Sequence, residues 1–367
     1  MQVCFFILSS FDFDSRARLI CRDILNAGWQ LDIIATDEGK LDKFYDAPIH
    51  RVLQPVKPFR QRRFIEYNLK AAAIAKSISA DIYHAVDLDT LWAAIKAAKA
   101  TGGKVIYESR ELYTELLALK DRTLIKSFWR MLEKRLIHKA NSVITINQSI
   151  ADELTKRYSI QKPTVAMNVA EIAEIKEPVD LRKKYNLDCE FVLIYQGVLR
   201  PGQGILRSLR LLRDLPKVGI VFVGDGLYRN EMEKQIVEYG LSSQVRLAGM
   251  IDPAELPRYT AGADAGLLLM EAAAMNNYLA LPQKIFQYIA AGVPPIVTDL
   301  PELARIAHQD NLGVVLNSNN ENYDSTTVGQ FLNQGLNDAK KACNGVKSKY
   351  NWKIEGDKIM SVYRGLV

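Results

Sequence analysis

Cysteine is scarce in this 367-residue sequence, and its four copies have no paired spacing. They are Cys4, Cys21, Cys189 and Cys343. Such scattered thiols argue against a disulfide framework or a metal site and indicate a reducing compartment. The apolar run at 3–8 is too short to span a bilayer and follows no basic segment, so we interpret it as a buried strand and not a signal peptide. We therefore expect a cytoplasmic protein.

Glycine is missing where a dinucleotide-binding enzyme needs it. No Gly-x-Gly-x-x-Gly sequence opens either half of the chain, which disfavours an oxidoreductase that uses a dinucleotide. The turn after the first predicted strand, 9–15, has no glycine at all and would cradle a phosphate poorly. We therefore expect a nucleotide to bind the second half, where the turns are rich in glycine.

Positive charge is concentrated in the first half. Positions 1–170 carry a formal net charge of +7, and the remainder carries −1. An anionic lipid surface, an anionic acceptor or a nucleic acid would each suit this half, and a well-solvated surface explains the charge equally well. The chain is 48% hydrophobic and long enough for two domains of roughly 150 residues.

Short apolar runs alternate with amphipathic segments throughout, which is typical of parallel sheets covered by helices. In the first half we predict strands at Val3–Ser9, Leu31–Ala35, Ile82–Ala85, Val105–Tyr107 and Ser142–Ile146, and helices at Ser15–Ala27, Phe64–Ser79, Thr90–Ala100 and Ile150–Tyr158. After a linker at Asn168–Val179, we predict strands at Phe191–Gln196, Val218–Val223, Val245–Leu247, Ala265–Met270, Pro295–Val297 and Val314–Leu316, and a last helix at Trp352–Leu366.

The most informative stretch is Asn276–Pro301. Pro282 and Gly292 delimit a short predicted helix, in which Lys284 and Gln287 share one face. A cation and an amide at a helix N-terminus, where free N–H groups already favour anions, could seat a diphosphate and the sugar attached to it.

The residues from Ala280 to Pro294, ALPQKIFQYIAAGVP, resemble the donor-binding segment of retaining, nucleotide-sugar-dependent GT-B glycosyltransferases. The branch concerned, glycosyl transferases group 1, includes bacterial polysaccharide and cell-envelope sugar transferases. The resemblance covers nearly the whole chain. It implies an α/β fold of two Rossmann-like domains whose parallel sheets face each other across a cleft. An acceptor-binding domain at 1–170 would then be followed by a nucleotide-sugar-binding domain at 171–350, and a C-terminal helix at 351–367 would cross back.

The resemblance also implies which residues hold the donor. Many relatives have two glutamates where this chain has Leu279 and Gln287, and the second usually holds the ribose hydroxyls, as an amide could also do. Gln203 replaces a basic residue of the glycine loop, so the cationic contact falls to Arg200 or Lys284. An ordinary strand–turn–helix connection is the alternative for this loop. The implied donor-binding residues are Gly197, Arg200, Gln203, Gly224, Asp225, Gly226, Met250, Glu271, Asn277, Tyr278, Leu281, Lys284 and Gln287.

In the first half, the stretches 81–91 and 107–115 resemble family segments near the transferred sugar. Arg110 stands where many relatives have a histidine; it cannot act as a general base but could hold a leaving phosphate or an anionic acceptor. The alternatives are structural: a satisfied buried histidine at His84, a helix cap at Asp87, and surface placement. The candidate catalytic residues are Glu111, Arg110, His84 and Lys284, with Asp87 and Arg110 on the acceptor side.

The segment Thr123–Lys139 is predicted to form a basic amphipathic helix. Together with the basic cluster at Arg60–Arg63 it could lie on anionic lipid, although such a helix more often packs on its own sheet with its charges in water.

The resulting hypothesis is a sugar transferase that uses a UDP- or GDP-linked sugar as co-substrate and no cofactor, metal or nucleic acid. Asp87 and Asp89 have the spacing of a metal-binding Asp-x-Asp motif, but they lie in the half assigned to the acceptor. The acceptor would be a glycan or a lipid-linked molecule, with peripheral contact to the inner face of the membrane as one option. The alternative is a GT-B-like binding protein that has lost transfer, since uncharged residues replace family charges at Leu279, Gln287, Gln203 and Val86.

Overall fold

The computed structural model describes residues 1–8, 11–36, 39–53, 60–172 and 174–367, and its contacts divide the chain into two α/β units. The first unit comprises Met1–Met167 with Lys353–Val367, and the second comprises Asn168–Trp352. Part of the predicted glycine-free turn, one residue of the predicted linker and the side chains of Arg60 and Gln61 lie outside the described residues.

The first unit is built on an eight-stranded sheet. Its strands are β1 (Gln2–Phe6), β2 (Gln30–Thr36), β3 (Lys43–Phe44), β4 (Ala47–Val52), β5 (Ile82–Val86), β6 (Lys104–Ser109), β7 (Ser142–Thr145) and β8 (Thr164–Val165). The spatial order is β3-β4-β2-β1-β5-β6-β7-β8, and β3 pairs with β4 antiparallel whereas the other pairs are parallel. The helices are α1 (Ser15–Asn26), α2 (Arg60–Ile78), α3 (Leu88–Thr101), α4 (Thr123–Ile137) and α5 (Gln148–Tyr158). Because β1 and β5 lie at the centre of this sheet, their residues are almost all buried, as expected for parallel strands.

The second unit has a six-stranded, wholly parallel sheet of order β11-β10-β9-β12-β13-β14. Its strands are β9 (Phe191–Gln196), β10 (Val218–Val223), β11 (Val245–Gly249), β12 (Ala265–Leu268), β13 (Pro295–Thr298) and β14 (Val314–Leu316). Its helices are α6 (Leu181–Tyr185), α7 (Ile205–Leu212), α8 (Arg229–Glu238), α9 (Leu256–Ala261), α10 (Met275–Tyr278), α11 (Gln283–Ala291), α12 (Pro301–Gln309), α13 (Asp324–Gln330) and α14 (Leu336–Val346). The chain builds outward from β9 in one direction and then from β12 in the other, so the topology switches between these two strands.

The last helix, α15 (Trp352–Arg364), is part of the first unit apart from its first residue. Tyr363 on this helix is fully buried, and its ring packs against Trp29 and stacks on His84. Burial of a large aromatic ring therefore joins the end of the chain to a sheet that begins at residue 2.

The predicted α/β fold class is confirmed, and the structure adds β3, β4 and β8. The strand β4 has no continuous apolar run, because it lies near the edge of the sheet and only its alternate residues Ala47 and Ile49, with Val52, are buried. Helix α2 begins at Arg60, four residues before the predicted start at Phe64.

Candidate functional site

The candidate site lies in the second unit, at the carboxyl ends of β9 and β10 and the N-terminus of α11. In open parallel sheets, ligands bind beyond the carboxyl ends of strands where the topology switches, which here is beside β9. Helix α11 begins after Pro282, which is extended, and ends at Gly292 in the left-handed conformation. The Tyr288 hydroxyl donates to the carbonyl of Leu267 at 3.0 Å, which fixes α11 on the sheet.

Two glycine loops meet backbone to backbone at this point. The Gly197 N–H donates to the carbonyl of Val223 at 2.8 Å, and the Leu199 N–H donates to that of Asp225 at 3.0 Å. Gly224 has a φ of +133°, and a Cβ added to it would lie 2.0 Å from the carbonyl oxygen of Gly197. Only glycine allows so close an approach, so both loops present bare backbone at the site.

The Lys284 amine points into this glycine-lined corner. Its Nζ donates to Gln203 Oε1 at 3.0 Å and to the Tyr195 hydroxyl at 3.2 Å, and it lies 4.5 Å from the centroid of the Tyr195 ring. A Cβ on Gly197 would lie 2.9 Å from Nζ. Burial, reinforced by the charge of Arg200, lowers the pKa of Lys284 to about 7.

Neither basic side chain of this corner has a carboxylate partner among the described residues. Within the part of the chain that the structure describes, no carboxylate forms an ion pair with Lys284 or Arg200. Arg200 is exposed, in the loop that follows β9. Two unpaired cations beside a helix N-terminus and a glycine-rich backbone are suited to an anion that carries more than one charge.

A chain of hydrogen-bonded polar side chains runs from Gln287, three residues after Lys284 on α11, into the interior. The side-chain amides of Gln287 and Gln196 lie 2.5 Å apart, from Oε1 to Nε2, and the Thr260 hydroxyl lies 2.8 Å from Gln196 Oε1. We call Thr260, Gln196 and Gln287 the amide relay. All three line a cavity of about 90 Å³ between α9, α11 and the segment around Ala170. The relay thus presents a half-buried amide to an otherwise mainly apolar cavity.

The other predicted donor-binding residues fall into two groups. The exposed group lies on the loops around the corner and comprises Asp225, Met250, Glu271 and Tyr278. Asn277 and Leu281 are buried, and Leu281 has no exposed surface at all. Leu281 therefore belongs to the core and cannot contact a ligand from this position, which corrects its assignment. Asp225 accepts a hydrogen bond from the N–H of its neighbour Gly226 at 2.7 Å, which shapes the second glycine loop.

In the first unit, Arg110 is held between two carboxylates. Its Nε and Nη2 donate to Asp87 Oδ2 at 3.0 and 2.7 Å, and its Nη1 donates to Asp14 Oδ2 at 2.5 Å. Asp87 does not cap α3 through its side chain, because both of its carboxylate oxygens accept from Arg110. The capping interpretation of Asp87 is therefore wrong. Arg110 is already neutralised and would have to leave these partners to hold a phosphate. Glu111, beside it, is exposed.

His84 is fully buried, with both ring nitrogens engaged. Nδ1 lies 2.7 Å from the Tyr363 hydroxyl and Nε2 lies 3.4 Å from Glu108 Oε2, while the ring stacks on Phe5. Burial alone would raise the pKa of Glu108, but Arg16, whose Nη2 lies 2.8 Å away, and His84 lower it. His84 has no surface with which to reach a substrate, so the structural interpretation replaces the catalytic one.

Helix α4 leaves a line of apolar side chains in water. Trp129 and Leu136 pack inward, but Leu124, Phe128 and Met131 are 87%, 42% and 47% exposed. Exposed basic residues flank this line, namely Arg122, Lys134 and Arg135. We call these six residues the α4 surface. No helix in the described part of the chain combines the length and apolarity needed to cross a bilayer.

The contacts within the relay and the pairing of Arg110 with Asp14 were not predicted. Thr260, Gln196 and Asp14 carry no local motif, since each acts on a residue at least 64 positions away.

Both units match known protein families. Residues 15–168 match the family described as Glycosyltransferase Family 4, and residues 179–349 match Glycosyl transferases group 1. An alpha-monoglucosyldiacylglycerol synthase of Streptococcus pneumoniae is 25% identical over 67% of this chain and 60% of its own length. The chain spans about three fifths of the length of the curated relatives it matches.

Two solved structures have the same fold over the whole chain. The sucrose-phosphate synthase of Thermosynechococcus elongatus superposes with a TM-score of 0.82 at 15% identity, covering 100% of this chain and 99% of the other. HepE of Anabaena, in complex with UDP and glucose, gives a TM-score of 0.78 at 16% identity and covers 100% of both chains.

Proposed function

The chain belongs to the glycosyltransferases of the GT-B fold, its second unit to glycosyl transferases group 1, and on this premise we propose that it transfers a sugar from a nucleotide-diphosphate sugar. The recipient is a hydroxyl group of a lipid-linked or glycan acceptor, and the products are glycolipid or surface polysaccharide. The donor is a UDP- or GDP-linked sugar, and it binds the second unit. The acceptor is bound by the first unit.

The observation that supports this proposal most is the unpaired Lys284 amine beside Arg200 and the two glycine loops. When the bond between sugar and diphosphate breaks, negative charge grows on the leaving oxygens. A cation already in place stabilises that charge without having to reorganise during the reaction. HepE, which shares the fold, binds UDP and glucose.

Retention and independence from a metal are further parts of the proposal. Retention is the outcome in the family, where the acceptor attacks on the face from which the diphosphate departs. Lys284 and Arg200 together offer two positive charges to a diphosphate, which is the role that a divalent cation plays elsewhere. Transfer should therefore persist in a chelator, and the product should keep the anomeric configuration of the donor.

Peripheral contact with an anionic membrane is proposed for the α4 surface. Its apolar side chains could enter the headgroup region while its flanking cations meet anionic lipid. A relative named for diacylglycerol glycosylation shares sequence with two thirds of the chain. This location would bring the first unit to a lipid-linked acceptor.

The test is a screen of UDP and GDP sugars for hydrolysis and transfer, followed by Lys284→Met. This variant keeps the length of the side chain but removes its charge, and we expect transfer to fall at least a hundredfold. Lys341→Met is the matched control, because that lysine is exposed in the same unit and pairs only with Asp338 across one helix turn. Unchanged turnover in Lys284→Met, with the fold intact, would refute the assignment of the site.

A binding protein that has lost transfer remains the second candidate, favoured by the replacement of family charges at Gln203, Leu279 and Gln287. Calorimetry separates the two functions. A binding protein gives heat with UDP or GDP but neither hydrolyses nor transfers any nucleotide sugar. A transferase gives the same heat and also transfers the sugar.

A further inference from the structure

The amide relay has fewer protons than its contacts require. The Thr260 hydroxyl lies 2.8 Å from Gln196 Oε1 and also 2.8 Å from the carbonyl oxygen of Leu256, one helix turn earlier. Both partners are acceptors, and a hydroxyl has only one proton to give. Thr260 and Gln196 are almost fully buried, with 1% and 2% of their surface exposed. One of the two contacts would therefore place two oxygen atoms together in the interior with no proton between them.

A half-turn of both amides removes this conflict. An amide places oxygen and nitrogen in nearly equivalent positions, so turning it exchanges a donor for an acceptor without moving its neighbours. Thr260 then donates to the carbonyl of Leu256 and accepts from the nitrogen of Gln196. Gln196 in turn accepts from the nitrogen of Gln287. Each contact now has one donor and one acceptor, which is the favoured state for a buried network.

This arrangement decides what Gln287 offers to the cavity. Gln287 is one of the residues that line the cavity. With its nitrogen engaged by Gln196, its carbonyl oxygen is the amide atom left for a ligand. In the opposite arrangement the cavity would meet an N–H donor instead. A carboxylate at this position would accept hydrogen bonds through both oxygens, whichever way it is turned. An amide offers an acceptor to the cavity only when its nitrogen donates to the neighbouring Gln196.

We propose that Thr260 and Gln196 are positioning residues that turn the carbonyl oxygen of Gln287 toward the cavity, where it accepts a hydrogen bond from a ribose hydroxyl of the donor nucleotide. This inference rests on the proposed function and deepens it. The hydroxyl of Thr260, two residues removed from the ligand, sets the polarity of the contact. The chain thus gains the acceptor that Glu provides in relatives without placing a negative charge near the diphosphate.

The test compares nucleotides that differ only in their ribose hydroxyls. UDP, GDP and their 2′,3′-dideoxy analogues are titrated by calorimetry into wild type, Thr260→Val and Thr260→Ser. Valine has the shape of threonine but no hydroxyl, so the relay loses its fixed direction. We expect Thr260→Val to weaken binding of the ribonucleotide about tenfold and to leave the dideoxy analogue within twofold of wild type. Thr260→Ser should restore the ribonucleotide affinity.

The same pair of measurements in a Gln287→Glu background provides the control. A carboxylate needs no orientation, so Thr260→Val should no longer change the preference for ribose over dideoxyribose. Equal weakening of both nucleotides by Thr260→Val, or the same effect in both backgrounds, would mean that Thr260 is merely structural and would overturn the inference. If wild type binds neither UDP nor GDP, the proposed function itself fails, and the inference with it.

Discussion

Raising the pH from 6 to 8 should weaken the binding of a nucleotide sugar about tenfold, because it removes the proton from Lys284. Burial and the neighbouring Arg200 lower the pKa of this amine to about 7. About nine tenths of the free protein then carries the charge at pH 6 and about one tenth at pH 8. If only the charged form binds the diphosphate, the apparent affinity falls in the same proportion.

Isothermal titration calorimetry can measure both the affinity and the protons taken up. A nucleotide sugar is the better ligand than a free nucleotide, because its diphosphate is esterified at both ends and does not titrate near neutrality. Titrations in two buffers with different heats of ionisation give the number of protons that each binding event takes up. We expect about one proton at pH 8 and almost none at pH 6.

Lys284→Arg is the matched variant for this experiment. Its guanidinium stays charged throughout the range, so its affinity should change little between pH 6 and 8 and its binding should take up no proton. A wild-type affinity that stays constant over this range, without proton uptake, would refute the reasoning. The diphosphate would then bind elsewhere, or the amine would already be charged in the free protein.

Three further outcomes are expected. Lys284→Met should be more stable to heat than wild type at pH 7 and below, because wild type must bury a charged amine there. This advantage should fade between pH 7, near the pKa of Lys284 in the folded protein, and about 10.4, the pKa of a lysine in the unfolded chain. Tyr363→Phe should cost about 1–3 kcal/mol in urea unfolding, since it leaves the buried Nδ1 of His84 without its partner at 2.7 Å; a loss below about 0.5 kcal/mol would contradict this. Leu124→Asp should reduce sedimentation with vesicles that contain anionic lipid, whereas Leu227→Asp, an equally exposed change in the second unit, should not; equal effects would argue against the α4 surface.

The sequence predicted best several strands of the second sheet, including its edge strand Val314–Leu316. Phe191–Gln196 and Val218–Val223 have the predicted limits at both ends, because a parallel strand covered on both faces must be apolar along its whole length. The strand Ala47–Val52 was not predicted, since it is covered less completely and contains His50 and Arg51.

The candidate site was predictable only where one segment contains it. Pro282 and Gly292 set the limits of the helix, and the helix places Lys284 at its first turn. The contacts of Gln287 could not be derived in this way, because they join three elements through the packing of α9 and α11 on the sheet. His84 shows the converse: a motif suggested chemistry, but a tyrosine 279 residues later occupies its ring nitrogen.

Arg110 in the first unit is ion-paired, whereas Lys284 and Arg200 in the second unit are not paired with any described carboxylate. This difference indicates where a diphosphate should bind. Arg110 contacts Asp14 and Asp87 at 2.5 and 2.7 Å, so a phosphate that took its guanidinium would leave two carboxylates close to each other and to the new anion. Lys284 and Arg200 form no ion pair with any described carboxylate, and burial together with the repulsion of Arg200 lowers the pKa of the lysine. A diphosphate at Lys284 therefore breaks no ion pair with a described carboxylate and relieves a repulsion, whereas one at Arg110 breaks two ion pairs and creates a repulsion. We therefore propose that the leaving diphosphate binds the second unit and that the neutralised Arg110 orients Asp87 beside an acceptor hydroxyl.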